Sequence, residues 1–133
     1  MAVLETVPPM AVLIVEDQAD VAESLRLFLD ICGGYTLTVA ADGEAGVRTA
    51  LAHPPDAVVC DIGLPKKDGF RVAEELAAGL PRTPLLIAVT GYGTAEVEAH
   101  ARRSGFHHFL VKPADPLRIN ALLREHRDGP AGH

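Results

Sequence analysis

At 133 residues the chain has the size of one domain with its own hydrophobic core and little room for a second folded unit. Hydrophobic residues make up 48% and Trp is absent, so the core must be aliphatic, and no apolar run approaches the roughly 18–20 residues of a membrane span. The formal net charge of −6, with basic residues scattered along the chain, argues against a nucleic-acid partner.

Residues 1–10 end in Pro8-Pro9 and lack the basic start and sustained apolar region of a signal peptide, which leads to the expectation of a flexible lead-in and a cytoplasmic protein with no membrane contact. Residues 128–133 read as a flexible tail, leaving 11–127 as the folded domain. The first strand, about 11–15, is uniformly apolar, as a strand buried on both faces should be. A helical pattern follows from about Ala19 to Ile31, with Val21, Leu25, Phe28 and Leu29 on one stripe, and Gly33-Gly34 stops it. Residues 35–40 alternate and are β-branched, predicting a second strand. Asp42 can cap a helix running to about His53, which Pro54-Pro55 ends. The third strand is 57–60, and a loop to Lys67 leads into a helix opened by Asp68 or Gly69 and ending near Ala78-Gly79. Pro84 precedes the fourth strand, and Thr94 can cap a helix to about Ser104-Gly105. The fifth strand is about 108–111, and Asp115 caps a last helix with apolar positions at Leu117, Leu122 and Leu123.

Five strands alternating with five helices imply βαβ units, hence an α/β fold with a parallel sheet between two helical layers. Right-handed crossovers bring the C-terminal ends of the strands to one edge, where open α/β sheets bind ligands near the reversal of strand order. That edge would carry Glu16-Asp17, Asp61, Thr90 and Lys112-Pro113. Adjacent carboxylates in a low-dielectric crevice need a cation or protons, and hard oxygen ligands suit Mg²⁺. Alone, Glu16-Asp17 reads more simply as a solvated helix N-terminus; together with Asp61 the metal reading prevails. A strand-end carboxylate such as Asp61 can act as a nucleophile toward a phosphoryl group. Phosphoryl transfer also needs charge neutralised on three equatorial oxygens, for which Mg²⁺, the Lys112 ammonium and the Thr90 hydroxyl are suited. Thr90 by itself carries little information. Gly91-Tyr92-Gly93 lets the backbone bend close to a ligand, and Pro113 fixes the turn after Lys112, with a cis peptide one way to make it.

With these motifs in order, VLIVEDQ at 12–18, DIGLPKKDGF at 61–70, AVTGYG at 88–93 and HFLVKP at 108–113, the chain resembles the receiver domains of two-component response regulators from about Ala11 to His126. The resemblance implies a flavodoxin-like three-layer (βα)5 fold with strand order 2-1-3-4-5. It implies Asp61 as phosphoacceptor, with Glu16, Asp17 and Asp61 as the acidic pocket and Mg²⁺ held by Asp17, Asp61 and the Gly63 carbonyl. Thr90 and Lys112 would be the switch hydroxyl and the phosphate-pairing lysine, and Phe109 the switch aromatic. The donor would be a histidine kinase or a histidine phosphotransfer protein. The downstream target would be a protein reading the fourth helix, fifth strand and fifth helix, from a monomer or weak dimer. The motif style is similar to receivers attached to hybrid kinases or standing alone. Gly63 and Tyr92, at positions that influence how water reaches the acyl phosphate, predict a phosphorylated state lasting minutes or more. Such a domain catalyses its own phosphorylation and slow hydrolysis without being an enzyme in the usual sense.

Plainer readings stand beside these. Phe109 could be core alone, Lys66-Lys67 a solvated loop tip able to steer an acidic partner, and Cys32 and Cys60 two reduced, mostly buried thiols. The six histidines show no metal-ligand spacing. A Mg²⁺-dependent phosphatase of the haloacid-dehalogenase type also uses an aspartate nucleophile, but it pairs two aspartates two apart after its first strand, and position 63 here is Gly. A flavodoxin-like nucleotide binder would want a Gly-rich phosphate loop where Glu16-Asp17 stands.

Overall fold

Three apolar runs, each buried on both sides, become the centre of a five-stranded parallel sheet, and the computed structural model describes this arrangement for residues 8–129. The strands are β1 (Met10–Val15), β2 (Tyr35–Ala40), β3 (Ala57–Asp61), β4 (Leu85–Thr90) and β5 (His108–Val111). The helices between and after them are α1 (Ala19–Cys32), α2 (Gly43–Ala52), α3 (Gly69–Gly79), α4 (Ala95–Ser104) and α5 (Pro116–Asp128). Sheet order is β2-β1-β3-β4-β5, the expected flavodoxin-like order.

Alternate strand residues serve opposite layers. Leu13, Val15, Val58, Cys60, Leu86 and Ala88 face the side covered by α2, α3 and α4. Val12, Ile14, Val59, Ile87 and Val89 face α1 and α5. Burial of this aliphatic area, worth about 25 cal/mol per Å², is what holds the layers together. Asp42, Asp68, Thr94 and Asp115 each cap a helix, accepting the backbone N–H of Ala45, Arg71, Val97 and Leu117. Gly33, at φ 81°, stops α1 and donates its N–H to the carbonyls of Leu29 and Asp30.

Four details depart from the sequence reading. Met10 opens β1, pairs with Tyr35 and is 4% exposed, so the strand takes in the last residue assigned to the lead-in. Val21 is 42% exposed because it borders an open cleft, and Ala22 takes the buried place on α1. Leu117, in the first turn of α5, is 63% exposed, and Ile119 joins Leu122 and Leu123 in the core instead. Asp128 still belongs to α5. The remaining expected lead-in and tail, residues 1–7 and 130–133, lie outside the described residues. Cys32 and Cys60 are free thiols, Cys60 fully buried and Cys32 half-buried. Among the described residues, no helix is long and apolar enough to cross a membrane.

Candidate functional site

The order of strands reverses around β1 and β3: β2 lies outside β1, while β4 and β5 continue beyond β3. Chain leaving the C-terminal ends of β1 and β3 therefore turns to opposite layers and opens a crevice between them. Glu16 and Asp17 follow β1 directly, Asp61 ends β3, Thr90 ends β4 and Lys112 follows β5.

Glu16 is 6% exposed, anchored by its backbone N–H to the Ala40 carbonyl at 3.0 Å. Its Oε2 accepts the Gln18 N–H at 3.1 Å and its Oε1 accepts from Lys112 Nζ at 2.8 Å. Lys112 Nζ also donates to Asp61 Oδ2 at 3.0 Å, while Asp61 Oδ1 accepts the Gly63 N–H at 3.1 Å. Carboxylate oxygens of Glu16, Asp17 and Asp61 lie within 4.8 Å of one another. Three carboxylates against one ammonium leave an excess of negative charge in the crevice.

That excess shows in the proton affinities. Burial raises the Glu16 pKa, and the nearby Asp61 charge adds to it, together outweighing the bonds from Lys112 and Gln18. Burial alone would lower Lys112, yet its bonds to Glu16 and Asp61 outweigh that and raise it, so the ammonium stays charged. The Cys60 thiol behind the site is pushed far up by burial and is inert as a nucleophile. An all-oxygen donor set with surplus negative charge fits a hard divalent cation such as Mg²⁺.

The loop after β3 is held by close backbone approach. Ile62 donates to the Val89 carbonyl at 3.2 Å and Gly69 to the Ile62 carbonyl at 2.9 Å. A Cβ at Gly69 would sit 2.7 Å from the Asp61 carbonyl oxygen and 2.7 Å from Ile62 Cα, so a side chain there would displace the site. The sequence reading noticed Gly69 as a helix start and missed this second duty; glycine directly after a capping Asp was the available signal.

Thr90 is fully buried and its Oγ1 accepts the Tyr92 N–H at 3.0 Å, engaged with its own loop. The Lys112 N–H donates to the Thr90 carbonyl at 2.7 Å, and the Lys112-Pro113 peptide is cis. Phe109 pairs with Ala88 across the strands and is half-buried against the layer shared with α3 and α4. Tyr92 is 70% exposed. The structure thus gathers Glu16, Asp17, Asp61 and Lys112 into one cluster, sets Thr90 one strand away, and puts Phe109 deeper in the sheet. Gly63 meets Asp61 through its N–H. Beside the cluster, a cavity of about 600 Å³ runs between α1 and α5, lined by Val21, Leu25, Val89, Pro113 and Ile119.

Set against known proteins, residues 12–124 match the model of the response regulator receiver domain. The chain belongs to the receiver domain family. Transcriptional regulatory protein PdtaR of Mycobacterium tuberculosis is 36% identical over 110 residues, covering 79% of this receiver and 50% of that protein. An uncharacterized 14.6 kDa protein of Leptolyngbya boryana is 32% identical over 125 residues, covering 92% and 94% of the two chains. The receiver therefore spans nearly all of one relative and half the length of the other. Among solved structures, a putative response regulator from Chloroflexus aurantiacus superposes with a TM-score of 0.81 at 29% identity, covering 89% and 97% of the chains. A CheY-like response regulator receiver domain protein from Methanospirillum hungatei gives 0.82 at 26% identity, covering 90% and 94%. The chain is a receiver of a two-component system, and nothing in the family or the site favours the dehalogenase-type phosphatase.

Proposed function

We propose that this receiver is a phosphorylation-controlled switch in which Asp61 takes a phosphoryl group from a phosphohistidine of a histidine kinase or histidine phosphotransfer protein. The supporting observation is the ammonium of Lys112, bonded at once to Asp61 and to buried Glu16 from the far end of the chain. An Asp61 carboxylate oxygen attacks phosphorus in line, the P–N bond to the donor imidazole breaks, and the imidazole leaves with the electron pair and takes a proton. Lys112 is already in place to pair with a phosphoryl oxygen. Asp17, Asp61 and the Gly63 carbonyl would hold Mg²⁺, with Glu16 adding negative charge behind them. When bound, the ion neutralises charge on the phosphoryl oxygens.

The added charge of about −2 favours a Thr90 hydroxyl turned from the Tyr92 N–H toward the phosphoryl group. Space released beside Thr90 admits the Phe109 ring, shifting the balance between two packings of α4, β5 and α5. Val111 at the end of β5, Leu117 in α5 and Tyr92 in the loop before α4 are exposed and give a downstream protein apolar contacts. The protein works as a monomer or weak dimer in the cytoplasm, free-standing or within a longer kinase-linked chain, and its chemistry is confined to itself.

Incubation with a small phosphodonor and Mg²⁺, followed by intact mass measurement, tests the reading. One phosphoryl group is expected on the wild type and none on Asp61→Asn; no gain on a folded wild type that also fails to bind beryllofluoride would overturn it. Gly63 offers no side chain to position water and Tyr92, two residues after Thr90, would shield the phosphate, so the phosphorylated form should last minutes. Loss within seconds at neutral pH would contradict that.

A further inference from the structure

The first half of α4 is thinly anchored. None of residues 95–100 is buried and two, Val97 and Glu98, are half-buried, whereas the helix's buried residues, Ala101 and Ser104, lie in its second half. The sequence explains this, because Ala95-Glu96-Val97-Glu98-Ala99-His100 contains one sizeable aliphatic side chain. A short helix owes most of its stability to packing, so such a segment belongs to the easily opened parts of a fold. Set against this, the rings of Phe70 and His100 stack with centroids 3.6 Å apart and planes within 14°. Phe70 lies in the first turn of α3, half-buried against the same core layer as Val97 and Phe109. His100 is otherwise exposed.

The two helices joined by the stack are the ones that the site's loops lead into. The loop from Asp61 ends in α3, and the loop from Thr90 ends in α4, where Thr94 caps by accepting the Val97 N–H at 3.1 Å. A pull on Thr90 passes through residues 91–94 to the weakly held turn that His100 fastens. We propose that the Phe70–His100 stack is a latch that pins the first half of α4 to α3 and sets how readily that half shifts when charge arrives at Asp61. The pinning stands on geometry alone; the response to charge rests on Asp61 being the acceptor.

Amide hydrogen exchange on wild type, His100→Ala, Phe70→Leu and Phe70→Tyr tests the pinning. The amides of residues 98–102, beginning with the Glu98 N–H bonded to the Thr94 carbonyl at 3.0 Å, report the first turns of α4. They should exchange about 3- to 10-fold faster in His100→Ala and Phe70→Leu, the equivalent of one aromatic pair lost, and at the wild-type rate in Phe70→Tyr. Protection in the sheet, α1 and α5 should be unchanged. Equal exchange in all four proteins overturns the latch, as does a uniform rise across every element, which would mean a general loss of packing. Because a loosened α4 costs less to move, beryllofluoride should bind His100→Ala several-fold more tightly than wild type. Equal affinity overturns the coupling. If wild type fails to bind at all, the acceptor reading falls while exchange still decides the latch.

Discussion

Lys112 stands among more negative charge than it can balance, and this governs what substitutions at the site do. Burial is the largest influence on Glu16 and pushes its pKa up, so its ionised form costs the fold stability once pH rises above the ordinary 4.5. Glu16→Gln removes that cost and leaves Lys112 bonded to Asp61. In metal-free buffer at pH 7 the variant should melt at a higher temperature than wild type. The advantage should fade as pH falls through the raised folded value and be gone below about 4.5, where the wild-type carboxyl is protonated in either state; thermal melts across pH measure it. Mg²⁺ acts in the opposite sense. Wild type should gain about 2.7 kcal/mol at 100 times the Kd and lose it on chelation, whereas Asp17→Asn should melt nearly alike with and without Mg²⁺.

Among the elements, α1 ends without a basic residue in its last turn, leaving its C-terminal carbonyls to be satisfied from elsewhere. Arg124 of α5 does so, donating to the carbonyls of Cys32 at 3.1 Å and Gly33 at 2.8 Å. It also donates to the Tyr35 hydroxyl at 3.1 Å, and that hydroxyl in turn donates to Asn120. Arg124→Ala should therefore cost about 1–3 kcal/mol by denaturant titration, with Arg124→Lys recovering part of it. A second tie joins β4 to β5: His107 Nδ1 accepts the Leu86 N–H at 2.9 Å, an arrangement that requires the unprotonated nitrogen. Burial, then the neighbouring His126, lowers the His107 pKa. This stabilisation is complete above the ordinary value of 6.5 and is lost as pH falls through the lowered folded value. His107→Asn keeps an acceptor that does not titrate, so its Tm should fall less than wild type on acidification from pH 7 to 5. Neither tie is legible in the sequence. Arg124 and Cys32 lie 92 residues apart, and no local periodicity announces that a helix will be capped by a distant side chain.

For the whole molecule, the legible part was what repeats or alternates. Runs such as 12–15 and 85–89 are apolar at every position because both faces are covered, so the strands and the gathering of Glu16, Asp17, Asp61 and Lys112 at one edge could be read from pattern, whereas the order of the strands followed only from the family resemblance. Exposure of Val21 and Leu117 could not, since helical spacing marks an apolar stripe but not where a cleft interrupts its cover. The switch itself is a property of the assembled domain. Thr90→Ala should still take up a phosphoryl group on Asp61 while the amide spectrum of α4, β5 and α5 fails to change with it; a full wild-type response in that variant would remove Thr90 from the path.

Strand order carries a further consequence for how the domain is made. β1 is synthesised first, and β2, β3, β4 and β5 in turn each add at a free edge of the sheet already present, so no strand has to be inserted between two others. A chain emerging from the ribosome can build outward as it lengthens. By the time β4 is complete, Glu16, Asp17 and Asp61 have all been made, but Lys112 has not. The sheet thus keeps an edge open for the strand made last, and that strand is the one leading into the balancing charge.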